Sequence, residues 1–154
     1  MAWFEAGRGG EFPLGFLITP HEASKTSLDS ARQIISAGTQ RGVFHNEELV
    51  GFCGYRPQRL ERTRHRGELG PFFVMRRLHG SGAAKILLNG VISEAREDGI
   101  AQLELTVSPE NLRAIAFYER EGFERFGLFP DAVRMDGVPG DELLYRLRLQ
   151  VPTY

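Results

Sequence analysis

Two segments of this chain carry residues whose types and spacing could do chemistry. The first, Val74-Met-Arg-Arg-Leu-His-Gly-Ser-Gly-Ala-Ala-Lys-Ile-Leu-Leu88, can end a strand, pass through small residues and open a helix. Bare backbone N–H groups at such a helix start point at whatever anion approaches, which makes the segment a candidate phosphate cradle. The second, Asn111-Leu-Arg-Ala-Ile-Ala-Phe-Tyr-Glu-Arg-Glu-Gly-Phe123, is a helix carrying one phenol, Tyr118. Its position after the apolar run Leu103 to Val107 puts that phenol near the same cleft. Neither segment is a nucleotide-binding loop of the common kinds. No Gly-Lys-Ser/Thr follows the glycines, and no Gly-x-Gly-x-x-Gly is present.

Alternating strand and helix patterns surround these segments, without repeats, low-complexity tracts or an internal linker, so residues 1–154 read as a single domain. Phe12 to Ile18 is a short apolar run closed by Thr-Pro and suits a strand. Ala23, Leu28, Ala31, Ile34 and Ile35 recur at helical spacing and predict a helix over Glu22 to Ala37, with Gly38 as its stop. Gly42 to His45 and Leu49 to Tyr55 flank Asn46-Glu47-Glu48 as a β-hairpin. The arginine-rich stretch Arg56 to Arg66 reads as a loop feeding a strand from Glu68 to Val74. A helix follows from Gly82 or Ala83 to about Arg96, with Ile86, Leu87, Val91, Ile92 and Ala95 on its apolar face and Asp98-Gly99 ending it. Next come a strand over Ala101 to Val107 and a helix from about Pro109 to Glu121, with Ser108 as cap and Pro109 in the first turn. Strands near Phe123 to Leu128 and Leu143 to Leu149 complete the order, with Asp136-Gly137 as a turn between them. Partial alternation of this kind predicts an α/β fold with a mixed central sheet covered by helices.

Taken together and in this order, the two segments resemble the GNAT superfamily of N-acetyltransferases, which move an acetyl group from acetyl-CoA to an amine. The match to that family's Asn-x-x-Ala-x-x-Leu/Phe-Tyr-Glu-x-x-Gly-Phe pattern is carried by Asn111, Ala114, Phe117, Tyr118, Glu119, Gly122 and Phe123. The loop fits the Gln/Arg-x-x-Gly-x-Gly/Ala signature in two registers, headed by Arg77 or by His79. The register headed by His79 keeps the family's spacing from Val74 and sets Leu87 and Leu88 where the helix buries its leucines. It also departs from the family, because a neutral histidine offers fewer donors to a diphosphate than Gln or Arg.

The resemblance implies a GNAT-type, mostly antiparallel sheet flanked by helices and acetyl-CoA as co-substrate. Backbone groups of Phe72, Phe73 and Val74 would meet the pantetheine arm. His79, Gly80, Ser81, Gly82, Ala83, Ala84 and Lys85 would meet the diphosphate, and Asn111 and Tyr118 are the further residues expected to bind the co-substrate. In the implied reaction an amine attacks the thioester carbonyl, and the thiolate leaves more readily when protonated. Tyr118 is then the general acid, since a phenol of pKa about 10 can protonate a thiolate whose thiol lies near 8.5. Glu68, where family members carry a glutamate base, is the candidate to accept the amine proton. It could equally pair with Arg56, Arg59, Arg62, Arg64 or Arg66. Those arginines in turn suit either a solvated loop or recognition of an acceptor carboxylate.

The acceptor expected is a primary amine of a small molecule or a protein N-terminus. The rival reading is a non-catalytic acyl-CoA-binding regulatory module of the same fold. The resemblance runs from Val43 to Leu149 and is weakest in front, where Thr19 to Gln40 has room for one long helix or two stubs instead of the usual two helices. A formal net charge of -1 gives no electrostatic case for nucleic acid or membrane. Cys53 is the one cysteine, expected as a buried structural thiol, and it excludes an internal disulfide. His21, His45, His65 and His79 lack metal-ligand spacing, so no metal is expected. No apolar stretch is long enough to span a bilayer and the start lacks a secretory pattern, which makes the cytoplasm the expected compartment. A homodimer stays open.

Overall fold

In the computed structural model of the chain, Glu22, Lys25 and residues 27–150 are described. The expected strand over Phe12 to Ile18, and His21, lie outside them. Helix α1 spans Leu28–Ser36. It begins later than the sequence pattern suggests because Ser27 sits in extended backbone and its hydroxyl accepts the Ser30 N–H at 3.1 Å, a side-chain cap that ends the helix there. Glu22 is helical ahead of that cap, and its carbonyl accepts the Lys25 N–H at 3.1 Å.

Strands β1 (Gln40–His45) and β2 (Glu48–Pro57) form the expected hairpin. Asn46 and Glu47 both take positive φ, 50° and 65°, as a two-residue turn of the hairpin-favouring kind requires. Strand β3 (Arg66–Val74) pairs antiparallel with β2, and both strands run further than expected. Arg56 lies in β2 and Arg66 in β3, because Arg56 pairs across the ladder with Glu68 and Pro57 with Gly67. The arginine-rich loop is correspondingly shorter. A single 3₁₀ turn, Arg76–Leu78, leads to helix α2 (Ala83–Glu97). Leu87, Leu88, Val91 and Ala95 of α2 are buried, whereas Ile86, expected on that face, is exposed.

Strand β4 (Gln102–Val107) returns parallel to β3, and helix α3 (Leu112–Arg120) follows. A long hairpin of β5 (Glu124–Met135) and β6 (Val138–Arg148) closes the chain, turning at Asp136 and Gly137 with φ of 51° and 81°. Its arms are longer than the apolar patterns suggest. Register shifts between Arg125 and Gly127 and between Phe129 and Val133 break the alternation by which a strand is read.

The six strands lie in the order β1-β2-β3-β4-β6-β5, antiparallel throughout except for β3 and β4. A mixed, mostly antiparallel sheet flanked by helices is the architecture expected. Its core gathers Cys53, Tyr55, Leu69, Leu103, Leu105 and Tyr145 against Leu87, Leu88 and Val91 of α2, with Ala114, Phe117 and Tyr118 of α3 packed on the same cluster. No helix of the described residues is long and apolar enough to cross a membrane.

Candidate active site

The site begins with a break in the sheet. Parallel β3 and β4 share only three register pairs, Arg66 with Gln102, Gly67 with Leu103 and Glu68 with Glu104. Beyond Glu68 and Glu104 the strands continue to Val74 and Val107 without pairing, so a notch opens between them. Along that edge of β3 the backbone groups have no neighbouring strand and can serve an extended ligand. Phe72, Phe73 and Val74 remain anchored on the other side, to Cys53, Phe52 and Gly51 of β2.

At the top of the notch stands the small-residue loop. Gly80 and Gly82 adopt φ of 80° and 89°, and a Cβ added at either would meet nothing within 4 Å. Space does not demand glycine at these positions; the left-handed backbone does. Gly82 caps α2 and turns the first-turn N–H groups outward, where no intrahelical carbonyl can reach them. Ser81 steadies the turn, its hydroxyl donating to the Leu78 carbonyl at 2.6 Å and lying 3.3 Å from the Ala83 N–H. Lys85 reaches toward Glu121 at 3.7 Å.

The two candidate heads of the loop behave differently. Arg77 is ion-paired to Glu48 of β2. The ring of His79 turns inward, Nε2 meeting the Val74 carbonyl at 2.9 Å while Nδ1 faces the Arg113 guanidinium. Burial first, and then the charges of Arg113 and Arg76, push its pKa below the ordinary histidine value. The imidazole is therefore neutral at physiological pH.

Asn111 caps α3, its side-chain oxygen accepting the Ala114 N–H at 3.2 Å. The cap expected at Ser108 is corrected by this geometry. Ser108 closes a separate preceding turn, where its hydroxyl accepts the Glu110 N–H at 3.3 Å and its carbonyl the Asn111 N–H at 3.0 Å. From this start, Phe117 and Tyr118 reach Phe72 edge-on, at 5.7 and 6.2 Å between ring centroids. Phe123 packs on Tyr118 from behind, at 5.4 Å. Burial, helped by neighbouring Cys53, raises the Tyr118 pKa well above the usual phenol value, so the hydroxyl keeps its proton. Cys53 is fully buried and its own pKa is pushed far up by burial, as a structural thiol requires.

Glu68 is ion-paired. Arg56 donates to its carboxylate at 2.8 Å, and the glutamate side chain is 44% exposed. Because adjacent Leu69 enters the core, Glu68 points to the other face of the sheet, away from the helices and Tyr118.

Three further polar residues lie here that the sequence reading passed over. Glu104 accepts both arms of Arg66, at 2.5 and 2.6 Å, and Arg66 holds its carboxyl below the usual range. Glu142 of β6 is buried, and burial raises its pKa against a hydrogen bond from Thr106 of β4. Arg113 is the third. The alternation of Gln102-Leu-Glu-Leu was the available signal for Glu104; Arg113 occupies an unspecified position of its motif.

Comparison with known proteins agrees with this architecture. Residues 11–123 match the family model described as Acetyltransferase (GNAT) family. The chain belongs to the GNAT family. Over 75 residues it is 43% identical to the L-2,4-diaminobutyric acid acetyltransferase of Streptomyces coelicolor. That match covers 44% of this chain and 44% of the relative, so the chain spans less than half the length of that curated protein. Among solved structures, the GNAT chain is similar to a ribosomal-protein-alanine N-acetyltransferase from Brucella melitensis, with a TM-score of 0.72, 26% identity and 80% of each chain covered. It also shares its fold with a Salmonella typhimurium protein solved with acetyl-CoA, at a TM-score of 0.74 and 19% identity over 84% of this chain and 78% of that one.

Proposed function

We propose that this GNAT chain transfers an acetyl group from acetyl-CoA to a primary amine of a small molecule or a protein N-terminus, by direct attack. The observation that carries the reading is the notch, which opens beyond Glu68 and Glu104 with the glycine loop at its top and Tyr118 beside Phe72. The fit to acetyl-CoA is chemical. A diphosphate needs N–H donors on an open, left-handed turn, and Gly80, Gly82, Ala84 and Lys85 offer them, the Ser81 and Ala83 N–H groups being taken by the Leu78 carbonyl and the Ser81 hydroxyl. A pantetheine arm needs backbone partners, and the unpaired edge of Phe72 to Val74 offers those, apart from the Val74 carbonyl already bonded by His79. The co-substrate, when bound, supplies a thioester carbonyl that an amine can attack.

Each residue then has a defined task. Tyr118 holds a proton at its hydroxyl for the departing sulfur, and burial keeps that proton in place until it is needed. Glu68 takes the amine proton from the opposite face, directly or through water. Phe72 and Phe117 wall the phenol from solvent. Asn111 positions Tyr118 by capping the helix that carries it.

The acceptor classes proposed include those in the names of two similar proteins, a diamino acid and an alanine of a ribosomal protein. The cytoplasm is the proposed compartment, in keeping with a lone buried thiol. Release of free CoA from acetyl-CoA, measured across a panel of amino acids, diamines and N-terminal peptides, tests the proposal. Tight acetyl-CoA binding with no thiol release from any amine would favour a non-catalytic acyl-CoA-binding module instead.

A further inference from the structure

Resting on the acetyl-CoA reading above, we propose that Arg113 is a ligand of the CoA diphosphate, held in place by His79. At the head of the loop, where the family has Gln or Arg, this chain has a histidine that is already engaged. Its Nε2–H donates to the Val74 carbonyl at 2.9 Å, which leaves Nδ1 as the acceptor. That nitrogen meets the guanidinium of Arg113, the second residue of α3. The bond joins two helix starts, because His79 lies just before the α2 cap and Arg113 in the first turn of α3.

The charge balance is what points to a ligand. Of the cations beside the loop, Arg77 is ion-paired to Glu48 and Lys85 leans on Glu121. Among the described residues no carboxylate pairs with Arg113; its partner is an imidazole that carries no charge. A full positive charge therefore stays at the loop, beside first-turn N–H groups that already favour an anion. Only one arm of the guanidinium is used by His79, and the fork retains donors for a phosphate oxygen. His79 is thus a positioning residue: it does not replace the missing arginine but carries one in from another helix.

The test is calorimetric titration of the full chain with CoA and with dephospho-CoA, on wild type, Arg113→Ala, Arg113→Lys, His79→Ala and the double alanine variant. Loss of one charge-assisted contact should weaken CoA binding by about tenfold or more in Arg113→Ala. Dephospho-CoA should lose the same factor, since it keeps the diphosphate. Arg113→Lys should recover part of the affinity. His79→Ala should lose less than Arg113→Ala, and the double variant should be no worse than Arg113→Ala alone, the non-additivity expected of a residue that acts through its partner. The Michaelis constant for acetyl-CoA should follow these affinities, with a larger change than any in turnover at saturation.

Affinity within twofold of wild type in Arg113→Ala would overturn the inference. A loss confined to CoA, absent with dephospho-CoA, would reassign the arginine to the 3′-phosphate and overturn the diphosphate assignment. Independent, additive losses in the double variant would remove the positioning role of His79. Wild-type protein that bound neither CoA nor dephospho-CoA would end the acetyl-CoA reading and this inference together.

Discussion

Glu68 and Glu104 oppose one another in the last register pair of β3 and β4, and each is met by its own arginine. Two carboxylates side by side would otherwise repel. The ties are unequal. Arg66 forks Glu104 with two short bonds and leaves that side chain 17% exposed, whereas Arg56 meets Glu68 through one bond at 2.8 Å and leaves it 44% exposed. Of the two carboxylates at the mouth of the notch, Glu68 is the freer to exchange an arginine for an amine.

Replacing Glu68 with Gln should therefore lower turnover and leave acetyl-CoA affinity nearly unchanged. The deficit should widen toward low pH, where an acceptor amine of pKa about 8 to 10 most needs deprotonating. Arg56→Ala, which frees the carboxylate, should keep most of the turnover. Equal losses in both variants, with a drop in melting temperature, would make the pair structural only; pH–rate profiles of the three proteins decide it.

Tyr118→Phe should fold, bind acetyl-CoA and retain the ring contacts to Phe72 and Phe123. Turnover should fall by about a hundredfold to ten-thousandfold, the usual contribution of a general acid. An acyl donor with a more acidic thiol should recover part of that loss, because its thiolate needs less help to leave. Unchanged turnover under conditions where chemistry limits the rate would reduce Tyr118 to a packing residue.

At Gly82, φ of 89° and the open space beyond it predict that Gly82→Glu folds with a modest loss of stability but forfeits the anion cradle. Wild-type protein should gain melting temperature as acetyl-CoA is added, by mass action. The variant should not. A full thermal shift in Gly82→Glu would exclude the loop from binding.

Glu104 and Glu142 should give opposite pH dependences of stability. Arg66 depresses the Glu104 pKa, so its contribution is complete above the unfolded value of about 4.3 and is lost as pH falls through the lower folded value. Glu104→Gln should cost about 1 kcal/mol at neutral pH, a figure limited by the partial exposure of Arg66, and the difference should shrink in acid. Burial raises Glu142 instead, so its contribution is present below that unfolded value and is lost as pH rises through the folded one. Glu142→Gln should accordingly gain on wild type as pH rises. Denaturant unfolding from about pH 3 to 8 reads both slopes, and curves parallel to wild type would refute the assignments.

Local chemistry was enough to determine the parts that lie within single segments. The hairpin turn at Asn46-Glu47-Glu48, which the structure tightens to Asn46-Glu47, and the helix opening at Gly82 follow from backbone preference and helical period. Helix α1 was legible only in part, because a single hydroxyl, Ser27, overrules a longer apolar pattern. What the sequence could not state is which segments meet. That β3 and β4 stop pairing at Glu68 and Glu104, that Arg56 and Arg66 each find a carboxylate on another strand, and that Arg113 closes on His79 are consequences of register and helix placement. A charged residue looks the same in sequence whether it faces water, an ion-pair partner or a ligand. Only the fold supplies its neighbour, and the neighbour decides its charge, its freedom and its use.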